Sequence, residues 1–256
     1  MGTIPMDRVF DRLDRLNGAD DAEGARKHLL YWLEEARMEK DERAQLTICN
    51  ELMGQRRMAG DAAEAVRYAE EAQRLVTELG LEDTVTAATV YVNSGTVCTA
   101  FGRPGDAMPL YEHAREIYEK TLPAADARVG SLYNNMATCL TRTGSYAEAE
   151  TMYQKALEIM RQIPHSEPEL AVTMLNLADL YREAYGLADA CERIDDCAQK
   201  AHDLLEEPGA VRDANYAQVC GKCAPVFEFY GWFVYAEELR KRAAEIYAGK
   251  GSRSGS

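Results

Sequence analysis

The sequence predicts an all-α chain, a solenoid of about six stacked helix-turn-helix hairpins. Three observations predict it. Glycines return on a fixed interval, with Gly18, Gly60, Gly102, Gly144 and Gly186 standing 42 residues apart. Alanines keep the same step in two parallel series, one of Ala72, Ala114, Ala156 and Ala198 and one of Ala65, Ala107 and Ala149. Between the glycines, apolar residues recur at helical spacing rather than in alternation. Small residues held at a constant period are what stacked hairpins need where neighbouring helices touch, and a globular enzyme has no reason to keep such a period.

The stretch from Val129 to Ile159 shows the unit most plainly. Leu132, Tyr133, Met136, Ala137 and Leu140 make one apolar face, and Ala149, Met152, Tyr153, Ala156, Leu157 and Ile159 make a second. Gly144 lies between them, where a chain leaving a helix often needs a left-handed backbone that glycine reaches at least cost. Ser145 with Glu148, and Asp61 with Glu64 one unit earlier in the series, have the spacing of capping boxes.

Taken in order, the repeats are expected at about 6–39, 40–80, 81–123, 124–164, 165–208 and 209–248. The first opens with Val9, Phe10, Leu13 and Leu16 on one face and closes at Asn17-Gly18; its blurred alanine positions suit a terminal cap. In the third, Pro104 and Pro109 crowd the second helix, which is expected to begin near Asp106 so that Pro109 falls in its first turn. Pro123, Pro164 and Pro208 each follow a second helix. Residues 249–256, GKGSRSGS, carry no packing pattern and are expected to be a flexible tail. A continuous period argues for a single domain over 1–248.

Composition narrows the function. With 29 basic and 43 acidic residues in 256, the formal charge is −14, which repels a phosphate backbone, so no nucleic-acid partner is expected. No apolar run is long enough to span a bilayer, and Met6 stands where a myristoylation signal would place Ser or Thr, so no membrane partner is expected either. Seven cysteines without a framework spacing suggest reduced thiols and a cytoplasmic setting. His28, His113, His165 and His202 are scattered, no glycine-rich phosphate loop is present, and no catalytic constellation, metal site or cofactor is expected. Cys220 and Cys223 have redox-motif spacing, and Cys191 and Cys197 lie near them in sequence. They fall in a helical repeat, however, where Cys serves as a small hydrophobe.

The string Tyr133-x-x-Met136-Ala137-x-x-Leu140, followed by Ala149, Tyr153 and Ala156, resembles the tetratricopeptide repeat signature. The usual unit of that family is about 34 residues, and the 42-residue step here is similar to the kinesin-light-chain type, whose first helix LYNNMATCL resembles. The resemblance implies a right-handed superhelix whose first helices line a concave groove that binds a peptide or protein segment, with no enzymatic activity. It also implies that first-helix asparagines contact the ligand. Asn93, Asn135 and Asn176 occupy matching positions, with Asn50 and Asn134 one place away. An amide offers both a donor and an acceptor, as an extended backbone requires; the same row could equally bond a neighbouring repeat. Arg57, Arg142 and Arg182 lie further along the same helices and could pair with an acidic ligand or simply be solvated. Glu51, Val92 and Asp179 interrupt the carboxylate clamp of chaperone-binding members.

From Phe227 to Tyr235 the chain packs six aromatics into nine residues, Phe227, Phe229, Tyr230, Trp232, Phe233 and Tyr235. They either seal the last repeat or form a partner or homodimer patch. The expected function is an interaction module; a peptide-sensing receptor acting through a partner and a self-assembling scaffold are the alternatives, and no output domain is visible for the former.

Overall fold

The computed structural model describes residues 3–19 and 21–253, leaving aside the side chains of 250–253. Among the described residues there are twelve helices and no strand. The chain falls into two compact units divided between Leu122 and Pro123, within a residue of the expected end of the third repeat. The first unit contains α1 (Met6–Gly18), α2 (Ala22–Met38), α3 (Glu42–Met58), α4 (Ala62–Glu78), α5 (Val85–Ala100) and α6 (Pro104–Thr121). The second contains α7 (Ala127–Arg142), α8 (Tyr146–Met160), α9 (Glu167–Asp189), α10 (Cys191–Leu205), α11 (Ala214–Phe229) and α12 (Phe233–Arg253).

Within each unit, successive helices pair as hairpins, and each hairpin packs on the one before. In the first unit α3 pairs with α4 and α5 with α6, while α5 also touches α4 and α3. In the second, α7 pairs with α8, α9 with α10 and α11 with α12, and α9 touches both α8 and α7. The alanine series sit at these contacts: Ala65, Ala72, Ala107, Ala114, Ala137, Ala149, Ala156, Ala178 and Ala198 are all fully buried. At Gly95 even a methyl is too large, since an added Cβ would lie 2.6 Å from the Tyr111 ring. A second-helix tyrosine closes two of the hairpins. Tyr111 and Tyr153 are buried, and their hydroxyls reach Thr96 (3.4 Å) and Thr138 (3.1 Å) of the first helix, so each phenol keeps a partner when it leaves water.

The hairpin corners share one construction. Gly60, Gly102 and Gly144 have φ of 74°, 76° and 81°. The N–H of Gly60 donates to the Arg57 carbonyl and that of Asp61 to the Arg56 carbonyl; Gly144 and Ser145 do the same toward Thr141 and Leu140. These are Schellman closures, and in them the residue that caps the next helix has already given its N–H to the previous one. A reciprocal capping box, which needs that N–H, cannot form. The two expected boxes are therefore corrected. Asp61 accepts from the Glu64 N–H at 3.2 Å, but the Glu64 carboxylate turns to Arg67 at 2.8 Å. Ser145 makes no side-chain cap bond at all.

Three other expectations shift. Gly18 lies inside α1, and the chain leaves that helix at Ala19 with φ −92°, not through a left-handed glycine. α6 begins at Pro104 rather than near Asp106. Pro104 takes the first position, where no N–H is missed, and the helix runs through Pro109, whose lost bond would have gone to the exposed Gly105. α12 continues to Arg253, into the segment expected as a tail; 254–256 lie outside the described residues. Gly186 interrupts α9 as its place in the series suggests, though with ψ 160° its backbone is extended.

Lys40 completes the same corner between α2 and α3 with φ 56°, the one place among the described residues of the first two hairpins where a side chain bears the left-handed strain. Lys40→Gly is expected to raise the unfolding free energy measured in urea by up to about 1 kcal/mol, and Gly144→Ala to lower it by about 1–2 kcal/mol. Equal responses at the two sites would contradict this account of the corners.

Candidate functional site

The half-exposed first-helix asparagines form two bonded pairs, one in each unit. In the first, Asn93 Nδ2 on α5 donates to Asn50 Oδ1 on α3 at 2.9 Å. In the second, Asn176 Nδ2 on α9 donates to Asn134 Oδ1 on α7 at 3.0 Å. The sequence register explains the geometry. Asn93 and Asn176 stand two residues before the small residue of their helix, Gly95 and Ala178, whereas Asn50 and Asn134 stand three before Met53 and Ala137. Neighbouring first helices are thus staggered by one residue at this level, and the one-place offset in the sequence is the acceptor side of a repeated bond. Asn135, expected to match Asn176, enters no described amide pair. Each bonded pair retains capacity: Asn93 keeps its Oδ1 and one Nδ2 hydrogen, and Asn50 keeps its Nδ2.

The surroundings of the first pair are unusual for so charged a chain. α5 has no Asp, Glu, Lys or Arg in its 16 residues. Thr89, Asn93 and Thr96 lie along one stripe of it, half-exposed, at i, i+4 and i+7. The two threonine hydroxyls donate back to the carbonyls of Val85 and Val92, and their oxygens meet the second-helix hydroxyls of Tyr118 (2.9 Å) and Tyr111 (3.4 Å), so of the three only Asn93 keeps polar capacity for a ligand. On α3, Asn50, Gly54 and Arg57 make the facing stripe at the same spacing.

The three arginines have different fates. Arg57 is half-buried, burial pushes its pKa below the usual arginine value, and among the described residues it has no ion pair. Arg142 is exposed and likewise has no described ion pair. Arg182 is engaged inside its own unit, bonded to Glu183 at 2.6 Å, 3.7 Å from Asp179, and stacked 5.4 Å over the Phe229 ring.

The aromatic run divides between the two roles considered for it. Phe227 and Tyr235 belong to the core, with the Tyr235 hydroxyl donating to Glu206 at 2.7 Å. Tyr230, half-buried, donates to Asp179 at 2.7 Å, and Trp232 packs between Phe227 and His202. Phe229 and Phe233 are 63% and 66% exposed, and Val234 beside them is 77% exposed. Phe233, Val234, Trp232 and His202 line a shallow hollow of about 390 Å³.

No disulfide joins any of the seven cysteines; Cys220 and Cys223 are buried in α11, and burial pushes the Cys223 thiol up to about 12, which suits a packing role better than a reactive one. Among the described residues no group of three or more His, Cys, Asp or Glu is arranged to hold a metal. Sequence reasoning passed over two features of the site, the uncharged α5 and the mid-helix Gly54. Both were signalled by composition within a helical run, a missing charge in one case and a missing side chain in the other.

Removing Asn176 leaves Asn134 without its donor, so Asn176→Ala is expected to cost about 0.5–1.5 kcal/mol in urea unfolding. Asn135→Ala is expected to stay within about 0.5 kcal/mol of the parent. A larger loss at Asn135 than at Asn176 would reverse the assignment.

Comparison with known proteins agrees with this architecture. The family model for the tetratricopeptide repeat matches residues 54–120 and 128–192, just over half of the chain. No curated protein sequence matches it. A solved structure of nearly identical TPR-like repeats, from a Podosopora anserina protein assigned as a kinesin light chain, aligns with a TM-score of 0.53 at 17% identity, covering 80% of this chain and 96% of that one. BtubC (BKLC) from P. vanneervenii aligns with a TM-score of 0.52 at 21% identity, over 96% of this chain and 92% of its own. A Rap protein complexed with Competence and Sporulation Factor aligns with a TM-score of 0.58 at 17% identity, over 96% and 75% respectively. At these identities the likeness to solved structures is one of fold. With the buried small-residue series and a family match that falls in both units, this chain belongs to the tetratricopeptide repeat family.

Proposed function

We propose that the protein is a non-catalytic interaction module that binds an extended peptide or protein segment along its first helices, with Asn50 and Asn93 in contact with the segment's backbone. The observation that carries this reading is α5. In a chain with a formal charge of −14, it presents Thr89, Asn93 and Thr96 half-exposed and without one charged neighbour on the helix. On this uncharged face the Asn93 Oδ1 and the Asn50 Nδ2 that their mutual bond leaves over supply an acceptor and a donor side by side, as an extended backbone requires. The Rap protein of similar fold, solved with Competence and Sporulation Factor, gives this reading a precedent. Asn134, Asn135, Asn176 and Arg142 extend the same role to the second unit, where Arg182 is already held by Glu183, Asp179 and the Phe229 ring. The setting is cytoplasmic in this proposal, in keeping with seven cysteines that form no disulfide. Among the described residues no helix is long and apolar enough to cross a membrane.

A second reading is favoured by Phe229, Phe233 and Val234, whose exposure suits a partner or homodimer patch at the α11–α12 edge. It is compatible with the first, and with a regulatory role in which a bound segment alters that contact.

Selection against a random-sequence peptide display library tests the main reading, with sedimentation velocity on the same sample to report self-association. The parent is expected to enrich a consensus, and Asn93→Ala to bind the enriched peptides about tenfold more weakly, which corresponds to roughly 1.4 kcal/mol. Failure to enrich any sequence above an unrelated helical protein would contradict it.

A further inference from the structure

Glycine in the middle of a helix is destabilising by about 1 kcal/mol relative to alanine, so each such residue calls for a reason. For three of them, Gly24, Gly95 and Gly130, the structure supplies one, whereas Gly105, Gly221 and Gly249 are open like Gly54. A Cβ on Gly24 would strike the capping carboxylate of Asp21, on Gly95 the Tyr111 ring, and on Gly130 the Met160 side chain. Gly54, in the middle of α3, has no such neighbour: nothing lies within 4 Å of where its Cβ would stand. Gly221 in α11 is equally open, but its neighbours one turn away are Ala217, Gln218, Ala224 and Pro225, none of them cationic.

The neighbours of Gly54 are of another kind. One turn before it stands Asn50, with the Nδ2 that its bond to Asn93 leaves unused. One turn after it stand Arg57, half-buried with no ion pair among the described residues, and Met58, 66% exposed. Glu51 also borders the opening, but burial and the facing Asp14 carboxylate raise its pKa, and it makes no ion pair with Arg57. The result is a bare stretch of helix backbone with an amide on one side and, on the other, a thioether and a guanidinium that lies near Tyr111 but has no described ion pair.

We propose that the opening over Gly54 is the seat of an acidic residue of the bound segment, whose backbone crosses α3 at Gly54 while its carboxylate pairs with Arg57 and its stem rests on Met58. The inference rests on the reading of the first helices as a peptide-binding face, and it adds the chemistry that the segment must carry there. A planar guanidinium fits a carboxylate through two parallel hydrogen bonds, and the missing Cβ lets a main chain approach the helix closely. Met58, unbranched and polarizable, adapts to whatever stem lies on it.

The test compares two display libraries, one of random sequence and one built without Asp and Glu. The parent protein is expected to select Asp or Glu at one fixed position and to enrich little from the second library. Arg57→Gln should lose that preference while keeping the rest of the consensus, and Arg57→Lys should retain part of it. Gly54→Ala should raise the unfolding midpoint, because the space is open, whereas Gly54→Leu should weaken peptide binding by about tenfold or more. An acidic preference that survives Arg57→Gln overturns the proposal, whatever the folding state of the leucine variant. A neutral consensus that still depends on Asn93 overturns it too, while leaving the peptide-binding reading in place. No enrichment by the parent overturns both.

Discussion

The close approach of helices at buried small residues is the constraint from which the rest follows. A methyl or a hydrogen at Ala65, Ala72, Gly95, Ala107, Ala114, Ala149 and Ala156 lets each hairpin close and the next one dock. Once those contacts recur at a constant period, the corners must recur as well, and the left-handed glycines with their double carbonyl closure are the shortest way to turn one helix into its antiparallel neighbour. The faces of the first helices that remain outside these contacts are then fixed in register, which is why amides 42 or 43 residues apart can meet at hydrogen-bond distance. Each unit is held further by polar bonds between elements. Tyr181 of α9 donates to Glu150 of α8, and Tyr235 of α12 to Glu206 at the end of α10. Burial and these carboxylate partners raise the tyrosine pKa values, so the phenols stay protonated donors.

The fold was legible in the sequence because a period shows in the order of the residues alone. Hairpin count and the buried alanines could be read from spacing, and the glycine positions marked the corners from Gly60 onward, although the ends of α1, α6 and α12 could not. What spacing could not convey was how backbone groups are shared. The capping boxes at Asp61 and Ser145 look complete as strings, yet the N–H each requires already belongs to the preceding helix. Pro109 looks like a helix start, but Pro104 occupies that position and the exposed backbone around Gly105 tolerates the missing bond.

The site was legible only in part. The sequence shows which residues are amides; it does not show the one-residue stagger between neighbouring first helices, so Asn135 looked equivalent to Asn176 while Asn134 is its partner. One bond in each asparagine pair serves the stack, and the donor and acceptor capacity left over makes the face open to a ligand. The aromatic run was ambiguous for a similar reason. Along α11 and α12 the helical turn sends Phe227 and Tyr235 inward and leaves Phe229 and Phe233 outside, so one string does two jobs. Arg182 and Arg57 look alike on paper, but neighbouring carboxylates and the Phe229 ring occupy the first, while the second has no described ion pair.

The most direct measurement is amide and side-chain NMR of the protein titrated with a library-selected peptide. Binding along the first helices predicts that the largest shifts fall on the side-chain amides of Asn50 and Asn93 and on the backbone of Gly54. Shifts confined instead to Phe229, Phe233 and Val234, with the asparagine amides unmoved, would contradict it and place recognition at the α11–α12 edge.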